Sequence, residues 1–255
     1  MKLRHTAILN LLKDEQQVNV RDLAHRLNVS EMTIRRDMTK LEEQGFLVRT
    51  HGGGVTTGKL NYLQSSMPEM NVSAEKTAIG RAAANLVEPG QTIMLDAGTT
   101  ALQVALSIPQ DTEITVATVS LCVAQTLYGS GLDVLLLGGY LRKEFPSLYG
   151  PMTEKALADF HVDILFAGCD GASTTEGFYI GDLYLSNLEK AMIRIANKVV
   201  IVAESSKFNK RAFVRYAKPE DINIVVTDSG LSDEDRKNLE EQGVKVIIAG
   251  EDTNG

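Results

Sequence analysis

The chain has 255 residues, 44% of them hydrophobic, and a formal net charge of −7, which is typical of a globular protein with one large or two smaller domains. All of its apolar runs are shorter than the roughly 18 residues of a membrane span, and its first residues lack the apolar core of a signal peptide, so we expect a cytoplasmic protein with no membrane partner. The two cysteines, Cys122 and Cys169, have no Cys-x-x-Cys or histidine spacing near them, so we expect no disulfide framework, no metal site and no cofactor.

The first sixty residues are basic, whereas the rest of the chain is acidic. They hold ten Lys and Arg against seven Asp and Glu, a net charge of +3, and the remainder has a net charge of −10. Apolar spacing predicts helices over residues 5–12 and 21–27, an extended link at 18–20, and a tight turn at Asn28 and Val29 before a third helix. This order predicts a helix-turn-helix, whose last helix enters the major groove of DNA.

The third predicted helix, residues 30–41, is amphipathic. Ser30 is a good N-cap, and Ile34, Met38 and Leu41 form one apolar stripe. A pair of arginines on a helix is by itself most often a solvated surface. After two further helices, however, the polar side becomes a candidate for DNA contact. Its members are Ser30, Thr33, Arg35, Arg36 and Lys40, and we expect Thr33, Arg35 and Arg36 to reach base edges.

Two short extended pieces around glycines follow, and they predict a hairpin wing over residues 46–56. Gly45 is placed to end the third helix. The glycines do not match a phosphate-binding P-loop, because no Lys-Ser/Thr pair follows them. Arg49 and His51, with Gly52 and Gly53 between the strands, are candidates for contact with DNA phosphates or the minor groove, although His51 could equally be a polar loop residue.

The rest of the chain reads as a linker and an α/β body, which gives predicted domains at 1–57 and 73–255 with the linker at 58–72. Continuous apolar runs, separated by helical patterns, predict strands buried on both faces of a mainly parallel, Rossmann-like sheet. The predicted strands are 92–95, 114–116, 134–137, 164–167, 199–202, 222–226 and 244–248. The helices named between and around them are 73–87, 101–106, 121–128, 186–197 and 233–242.

Ligands of such folds bind beyond the carboxyl ends of the strands, so the residues there are the candidate effector site. Asp96, Gly98, Thr99 and Thr100 stand at the start of a helix, where free amides favour an anion, although Asp96 or Thr99 could simply be a helix cap. Gly138, Gly139 and Arg142 follow the third strand and could equally form an ordinary turn. Asp170 and Gly171 follow the fourth, where Asp170 could bind sugar hydroxyls or hold the turn. Lys207 follows the fifth as a point charge for phosphate.

The motifs of the first sixty residues resemble the signature of the DeoR family of bacterial transcriptional regulators. They are Ser30-x-x-Thr33-Ile34-Arg35-Arg36-Asp37, Leu41-x-x-x-Gly45 and Arg49-x-His51-Gly52-Gly53. The resemblance extends over nearly the whole chain. It implies a winged helix-turn-helix that contacts DNA through Arg35 and Arg36, and an effector-binding body similar to ribose-5-phosphate isomerase.

The body resembles that isomerase in several motifs and departs from it in others. Asp96–Thr100 is similar to its phosphate loop, Glu204–Lys207 to its Asp-Glu-Ser-Lys stretch, and Glu189 to the glutamate of a Glu-Lys pair beside its active site; on helix charge alone, Glu189 would be solvated. Its Gly-Ala-Asp-Glu segment appears as Gly168–Ala172 without the second carboxylate, which favours binding without turnover. DeoR proteins commonly have Asp where this chain has Glu204.

The patterns and the DeoR resemblance together lead us to expect a sequence-specific repressor of a carbohydrate catabolic operon. We expect it to bind double-stranded operator DNA as a dimer or tetramer, and the resemblance implies that a phosphorylated sugar or sugar alcohol releases it. The alternatives are a sugar-phosphate isomerase with a DNA-binding head, and a sensor that acts through protein partners.

Overall fold

The computed structural model describes residues 3–15, 17–43, 47–50, 52–56, 72–142 and 145–250. The chain forms two compact units, Met1–Glu69 and Met70–Gly255. The predicted linker lies outside the described residues up to residue 71, as do Gly45 and His51.

The first unit is a winged helix-turn-helix, as predicted. Its elements are α1 (Leu3–Glu15), β1 (Gln17–Asn19), α2 (Val20–Arg26), α3 (Glu31–Glu43), β2 (Leu47–Arg49) and β3 (Gly53–Thr56). The predicted extended link is β1, which pairs with β3 to extend the wing to a three-stranded antiparallel sheet. Asn28 makes the predicted turn with φ 50°, a left-handed conformation that asparagine tolerates well.

The core of the first unit is formed where the helices meet the wing. Ile34, Met38 and Leu41 of α3 are all 0% exposed, and they pack with Ile8 and Leu12 of α1, which are equally buried. The predicted apolar stripe is therefore the buried face of α3. Its burial leaves the opposite side of the helix to solvent.

The second unit is built on a seven-stranded sheet in which every pairing is parallel, in the order β15-β14-β12-β9-β4-β5-β6. All seven strands correspond to predicted ones. They are β4 (Thr92–Leu95), β5 (Thr115–Thr118), β6 (Asp133–Leu136), β9 (Val162–Ala167), β12 (Ala196–Val202), β14 (Ile224–Thr227) and β15 (Lys245–Ile248).

In the described part of this unit, six helices accompany the sheet, together with two 3₁₀ turns, Ser205–Lys207 and Pro219–Asp221. They are α4 (Ala74–Ala84), α5 (Thr99–Ser107), α6 (Leu121–Leu127), α7 (Pro151–Leu157), α8 (Leu183–Arg194) and α9 (Asp233–Glu241). Helix α8 begins three residues before its predicted start, because Asp182 caps it by accepting from the amides of Tyr184 and Leu185.

Two small antiparallel sheets complete the unit. One pairs β7 (Tyr140–Leu141) with β8 (Leu148–Tyr149), and the other has the order β10 (Gly171–Ser173), β11 (Gly177–Ile180), β13 (Val214–Ala217). In the main sheet, β5 and β6, the next two strands of this sheet after β4 along the chain, lie on one side of β4, and β9, which comes after them, lies on the other. The carboxyl ends of β12, β9 and β4 are consequently neighbours at the point where the strand order reverses, where α/β folds bind ligands.

Candidate functional site

Helix α3 presents a polar face that is held at its first turn by Ser30. The Ser30 hydroxyl accepts from the amide of Thr33 at 3.3 Å and lies 2.9 Å from the Thr33 hydroxyl. Arg36 and Lys40 are exposed. Arg35 is half-exposed and pairs with Glu31 at 3.6 Å, a surface ion pair that a DNA phosphate or base can replace at little cost. The five predicted DNA-contact residues of α3 thus lie on the helix without a buried structural role.

The wing residues have mixed positions. Gly52 is exposed, but Gly53 is buried, and a Cβ there would lie only 1.8 Å from the carbonyl oxygen of Val18. Arg49 is partly buried, its Nη1 donates to the Thr39 hydroxyl at 3.1 Å, and its buried Nε has no partner among the described residues. The structure therefore gives Gly53 a packing role against β1 and places the Arg49 guanidinium against α3. His51 is outside the described residues.

Asp37, within the Thr-Ile-Arg-Arg-Asp motif, is a buried anchor that sequence reasoning left without a role. Its carboxylate accepts from Arg4 Nε and lies 3.0 Å from His5 Nε2, both on α1. Burial by itself would raise the Asp37 pKa, but the hydrogen bonds from Arg4 and His5 outweigh it and leave the pKa below its ordinary value. The ionised carboxylate thus ties α1 to the base of the recognition helix.

A cavity of about 610 Å³ lies at the strand-order reversal of the second unit. Most of the predicted effector residues line it. Those lining it are Asp96, Gly98, Thr99, Thr100, Arg142, Asp170, Glu189 and Lys207, and residues not predicted include Lys76, Ser147, Asp182 and Glu204. The cavity brings together the ends of β4, β9 and β12, as the topology requires.

One side of the cavity suits an anion. Helix α5 begins at Gly98 with no side-chain cap, so its first amides retain hydrogen-bonding capacity toward the cavity beside Thr99 and Thr100. Three cationic side chains, those of Lys76, Arg142 and Lys207, line the same cavity. Free amides at a helix N-terminus together with lysine and arginine form a site for phosphate.

Lys207 is positioned by a turn that a distant carboxylate stabilises. In the 3₁₀ turn Ser205–Lys207, the amide of Ser205 donates to Asp228 Oδ2 at 2.7 Å and its hydroxyl donates to Asp228 Oδ1 at 2.6 Å. Burial alone would raise the Asp228 pKa, but these hydrogen bonds lower it, so the carboxylate stays ionised and continues to hold the turn.

Two buried carboxyl groups, Asp96 and Glu189, also line the cavity, and Asp96 lies beside the start of α5. Asp96 is 8% exposed, and its Oδ2 accepts from the amide of Gly168 at 3.1 Å. Glu189 is 2% exposed and shares a hydrogen bond with Asp96, while its Oε2 has no hydrogen-bond partner in the described structure. Burial and the nearby Asp96 charge raise the pKa of Glu189 well above its ordinary value, and burial also raises the pKa of Asp96.

A Glu189→Gln substitution is expected to stabilise the protein in alkaline solution. A carboxyl whose folded pKa is raised binds its proton more tightly in the folded state, so its contribution to stability falls as pH rises above the unfolded value of 4.5. Glutamine keeps a donor for Asp96 without this loss. The free energy of unfolding of the variant should exceed that of the wild type by about 1–3 kcal/mol near pH 8 and converge with it near pH 4.

Urea unfolding between pH 4 and pH 8 measures this difference. Glu241→Gln is the matched control, because Glu241 is exposed on α9 and pairs only with Lys237 at the surface. The control should show no pH-dependent gain. A gain for Glu189→Gln of the same size at every pH would contradict the assignment of a buried, protonated Glu189.

The remaining predicted effector residues hold turns or allow close packing of the backbone. Asp170 lines the cavity and also holds a turn, because its Oδ2 accepts from the amide of Gly181 at 2.8 Å. Gly138, Gly139 and Gly171 are not among the cavity-lining residues. A Cβ at Gly139 would lie 2.1 Å from the Thr153 hydroxyl, and one at Gly171 would lie 2.6 Å from the carbonyl oxygen of Lys210. Close packing accounts for both of these glycines, and Gly138 accepts from the Thr153 hydroxyl through its carbonyl.

Lys76 and Glu204 are cavity residues that the predicted site did not include. Lys76 lies in the first turn of α4, far along the chain from the strand ends, so a search of those ends could not find it. Glu204 directly follows β12 and belongs to the Glu-Ser-Ser-Lys motif, which was a usable signal. Within the described residues, no group of three or more His, Cys, Asp or Glu could hold a metal ion, and no helix has the length and apolarity to cross a membrane.

Two family models match the chain. The DeoR-like helix-turn-helix domain matches residues 4–58, and the DeoR C terminal sensor domain matches residues 71–229. The chain is 31% identical to the putative aga operon transcriptional repressor of Escherichia coli O157:H7, over 97% of this chain and 94% of that protein. It is 34% identical to the HTH-type transcriptional repressor GlcR of Bacillus subtilis strain 168, over 98% and 96%.

Solved structures with a similar fold include ribose 5 phosphate isomerase A from Neisseria gonorrhoeae. It aligns with a TM-score of 0.40 at 16% identity, over 53% of each chain. The isomerase from Methanocaldococcus jannaschii aligns with a TM-score of 0.39 at 19% identity, over 52% of this chain and 53% of that one.

Proposed function

Because the chain belongs to the DeoR family of DNA-binding transcriptional regulators, we propose that it represses a carbohydrate catabolic operon and is released from its operator by a phosphorylated sugar or sugar alcohol. The chain is a regulator and not an enzyme, since its relatives are named transcriptional regulators and repressors. The operator and the effector are the two binding partners of this proposal.

The observation that carries the effector proposal is a single cavity lined by two chemically different sets of groups. The uncapped start of α5 and the three cations suit a phosphate group. Buried Asp96 accepts hydrogen bonds in the same cavity, and Glu189 Oε2 has no partner in the described structure. A buried acceptor without a partner costs about 1–3 kcal/mol, which a ligand hydroxyl would recover. A compound that carries both a phosphate and hydroxyl groups satisfies both sets of groups.

A thermal-shift comparison of sugars with and without phosphate tests the proposal. A ligand that binds only the folded protein stabilises it by about 2.7 kcal/mol at a concentration one hundred times Kd. We expect at least one sugar phosphate or alditol phosphate to raise Tm while its unphosphorylated counterpart does not. If no phosphorylated compound changes Tm, the effector proposal is wrong, whatever the protein does on DNA.

We propose further that the protein acts in the cytoplasm as a homo-oligomer, a dimer or a tetramer. One short recognition helix reads few base pairs, so paired half-sites are needed for discrimination. Strand β6 is an edge of the main sheet on which Leu135 and Leu136, pointing to opposite faces, are 37% and 38% exposed, a surface suited to contact with another subunit. A monomer mass by light scattering in the presence of operator would contradict this proposal.

A further inference from the structure

Ser73, Lys76 and Glu204 form a cluster, here called the α4 latch, at the wall of the cavity. The Ser73 hydroxyl donates to Glu204 Oε1 at 2.7 Å, and Lys76 Nζ lies 3.4 Å from Glu204 Oε2. The same hydroxyl caps α4 by accepting from the amide of Lys76 at 3.1 Å. One carboxylate at the end of β12 is thereby bound to the first turn of α4.

The α4 latch combines residues of the cavity wall with the residue that precedes α4 in the sequence. Lys76 and Glu204 both line the cavity, so they are in reach of whatever binds there. Ser73, in contrast, is the residue that leads from the segment 57–72 into α4, and that segment connects to the DNA-binding unit along the chain. A change at this first turn is therefore a change close in sequence to the boundary between the two units, which lies between Glu69 and Met70.

A phosphate in the cavity would compete with Glu204 for Lys76. The side chains of Lys76 and Glu204 are only 17% and 19% exposed, so each interacts more strongly with its partner than a surface pair would. A phosphate dianion carries more charge than a carboxylate and binds lysine as a point charge. Once Lys76 turns to the phosphate, Glu204 is left close to an anion without its cation, and repulsion favours its movement away from Ser73.

We propose that effector phosphate opens the α4 latch by taking Lys76 from Glu204, and that this exchange passes the signal from the cavity to the segment leading to the DNA-binding unit. The inference rests on the proposed function, since it requires a phosphate in that cavity. The phosphate group would break the ion pair between Lys76 and Glu204. The response follows at Ser73, where loss of the bond to Glu204 frees the hydroxyl that caps the helix and loosens its first turn.

Hydrogen exchange with and without inorganic phosphate tests this exchange in the full chain. In the wild type, saturating phosphate should speed exchange of the Lys76 and Thr77 amides about threefold or more, because both are held by Ser73, one through its hydroxyl and one through its carbonyl. In Glu204→Gln, the amide oxygen can still accept from Ser73 but no longer pairs with Lys76. This variant should bind phosphate about 3–10-fold more tightly, and its exchange at Lys76 and Thr77 should not respond.

Asp182→Asn is the matched control, because Asp182 also lines the cavity but contacts neither Lys76 nor Ser73 in the described hydrogen bonds. It removes one negative charge and keeps the cap of α8, so it should retain the exchange response at Lys76 and Thr77. Ser73→Ala is a second variant, which has no bond to Glu204 to lose, so it should bind phosphate at least as tightly as the wild type and show no exchange response. Phosphate binding to the wild type with unchanged or slower exchange at these amides overturns the inference and leaves the effector proposal standing. Failure of the wild type to bind phosphate or any sugar phosphate overturns both.

Discussion

Replacing Arg35 and Arg36 together with alanine is expected to weaken operator binding about 10²–10³-fold, since a good side-chain contact to a base edge is worth about 1–3 kcal/mol and each phosphate contact adds to affinity. The burial of Ile34, Met38 and Leu41 aims the opposite face of α3, with both arginines, at solvent. Neither arginine is buried, and the Arg35–Glu31 pair is a surface pair worth less than about 1 kcal/mol, so the variant should remain folded.

Fluorescence anisotropy on a DNA sequence selected with the wild-type protein measures this loss. Lys237→Ala is the matched control, because it removes a positive charge from the exposed surface of α9 in the other unit. The control should bind DNA as the wild type does, and both variants should keep the wild-type Tm. The double variant should also show a shallower dependence of affinity on salt, because fewer phosphates are contacted. Wild-type affinity in a folded double variant would show that α3 is not the reading helix.

The main elements of the fold could be predicted because the spacing of apolar residues along the chain specifies helices and strands. The stripe of Ile34, Met38 and Leu41 has helical period, and its members are all fully buried. The seven apolar runs all became strands of the parallel sheet, since a strand covered on both faces needs apolar side chains without alternation. The DeoR resemblance drawn from the motifs of the first unit is confirmed by the matching family models over both units.

From the order of strands and loops, the candidate site could be predicted only where its residues lie shortly after strands, and Glu189 on α8 was included on the family resemblance alone. Asp96, Asp170 and Lys207 were found in this way, and all three line the cavity. Lys76 was missed because it reaches the cavity from α4, which lies far before its partner Glu204 along the chain. Spacing along the chain does not reveal such pairs. The same holds for Asp37, whose partners are on α1.

The burial and contacts of single residues could not be predicted from residue type, as Glu189, Arg49 and Gly53 illustrate. On its charge pattern, Glu189 would be a solvated residue near the start of a helix, and only the family resemblance gave it a role. In the structure it is 2% exposed beside Asp96, so its pKa rises. Gly53 is buried against Val18 and the Arg49 guanidinium contacts Thr39 of α3, while their contact with DNA stays a prediction. Neither outcome can be read from residue type, because each depends on which elements pack over that position.

Replacing Lys207 with alanine is expected to weaken effector binding about 30–150-fold without affecting operator binding in the absence of effector. A hydrogen bond between a charged donor and a phosphate contributes about 2–3 kcal/mol in a partly enclosed site, and Lys207 is held at the cavity by the turn that Asp228 fixes. Because the DNA-binding unit is untouched, the variant should bind operator normally and remain bound at effector concentrations that release the wild type.

Calorimetric titration with the phosphorylated sugar that most raises the wild-type Tm gives the change in Kd, and anisotropy with operator DNA gives the change in release. Lys210→Ala is the matched control, because Lys210 is exposed three residues later and does not line the cavity. For the unphosphorylated sugar, both variants should resemble the wild type, since Lys207 is assigned to the phosphate alone. An equal loss of affinity for sugars with and without phosphate would mean that Lys207 binds the hydroxyl groups of the sugar instead. Unchanged release of Lys207→Ala from operator DNA would mean that Lys207 is not part of the effector site.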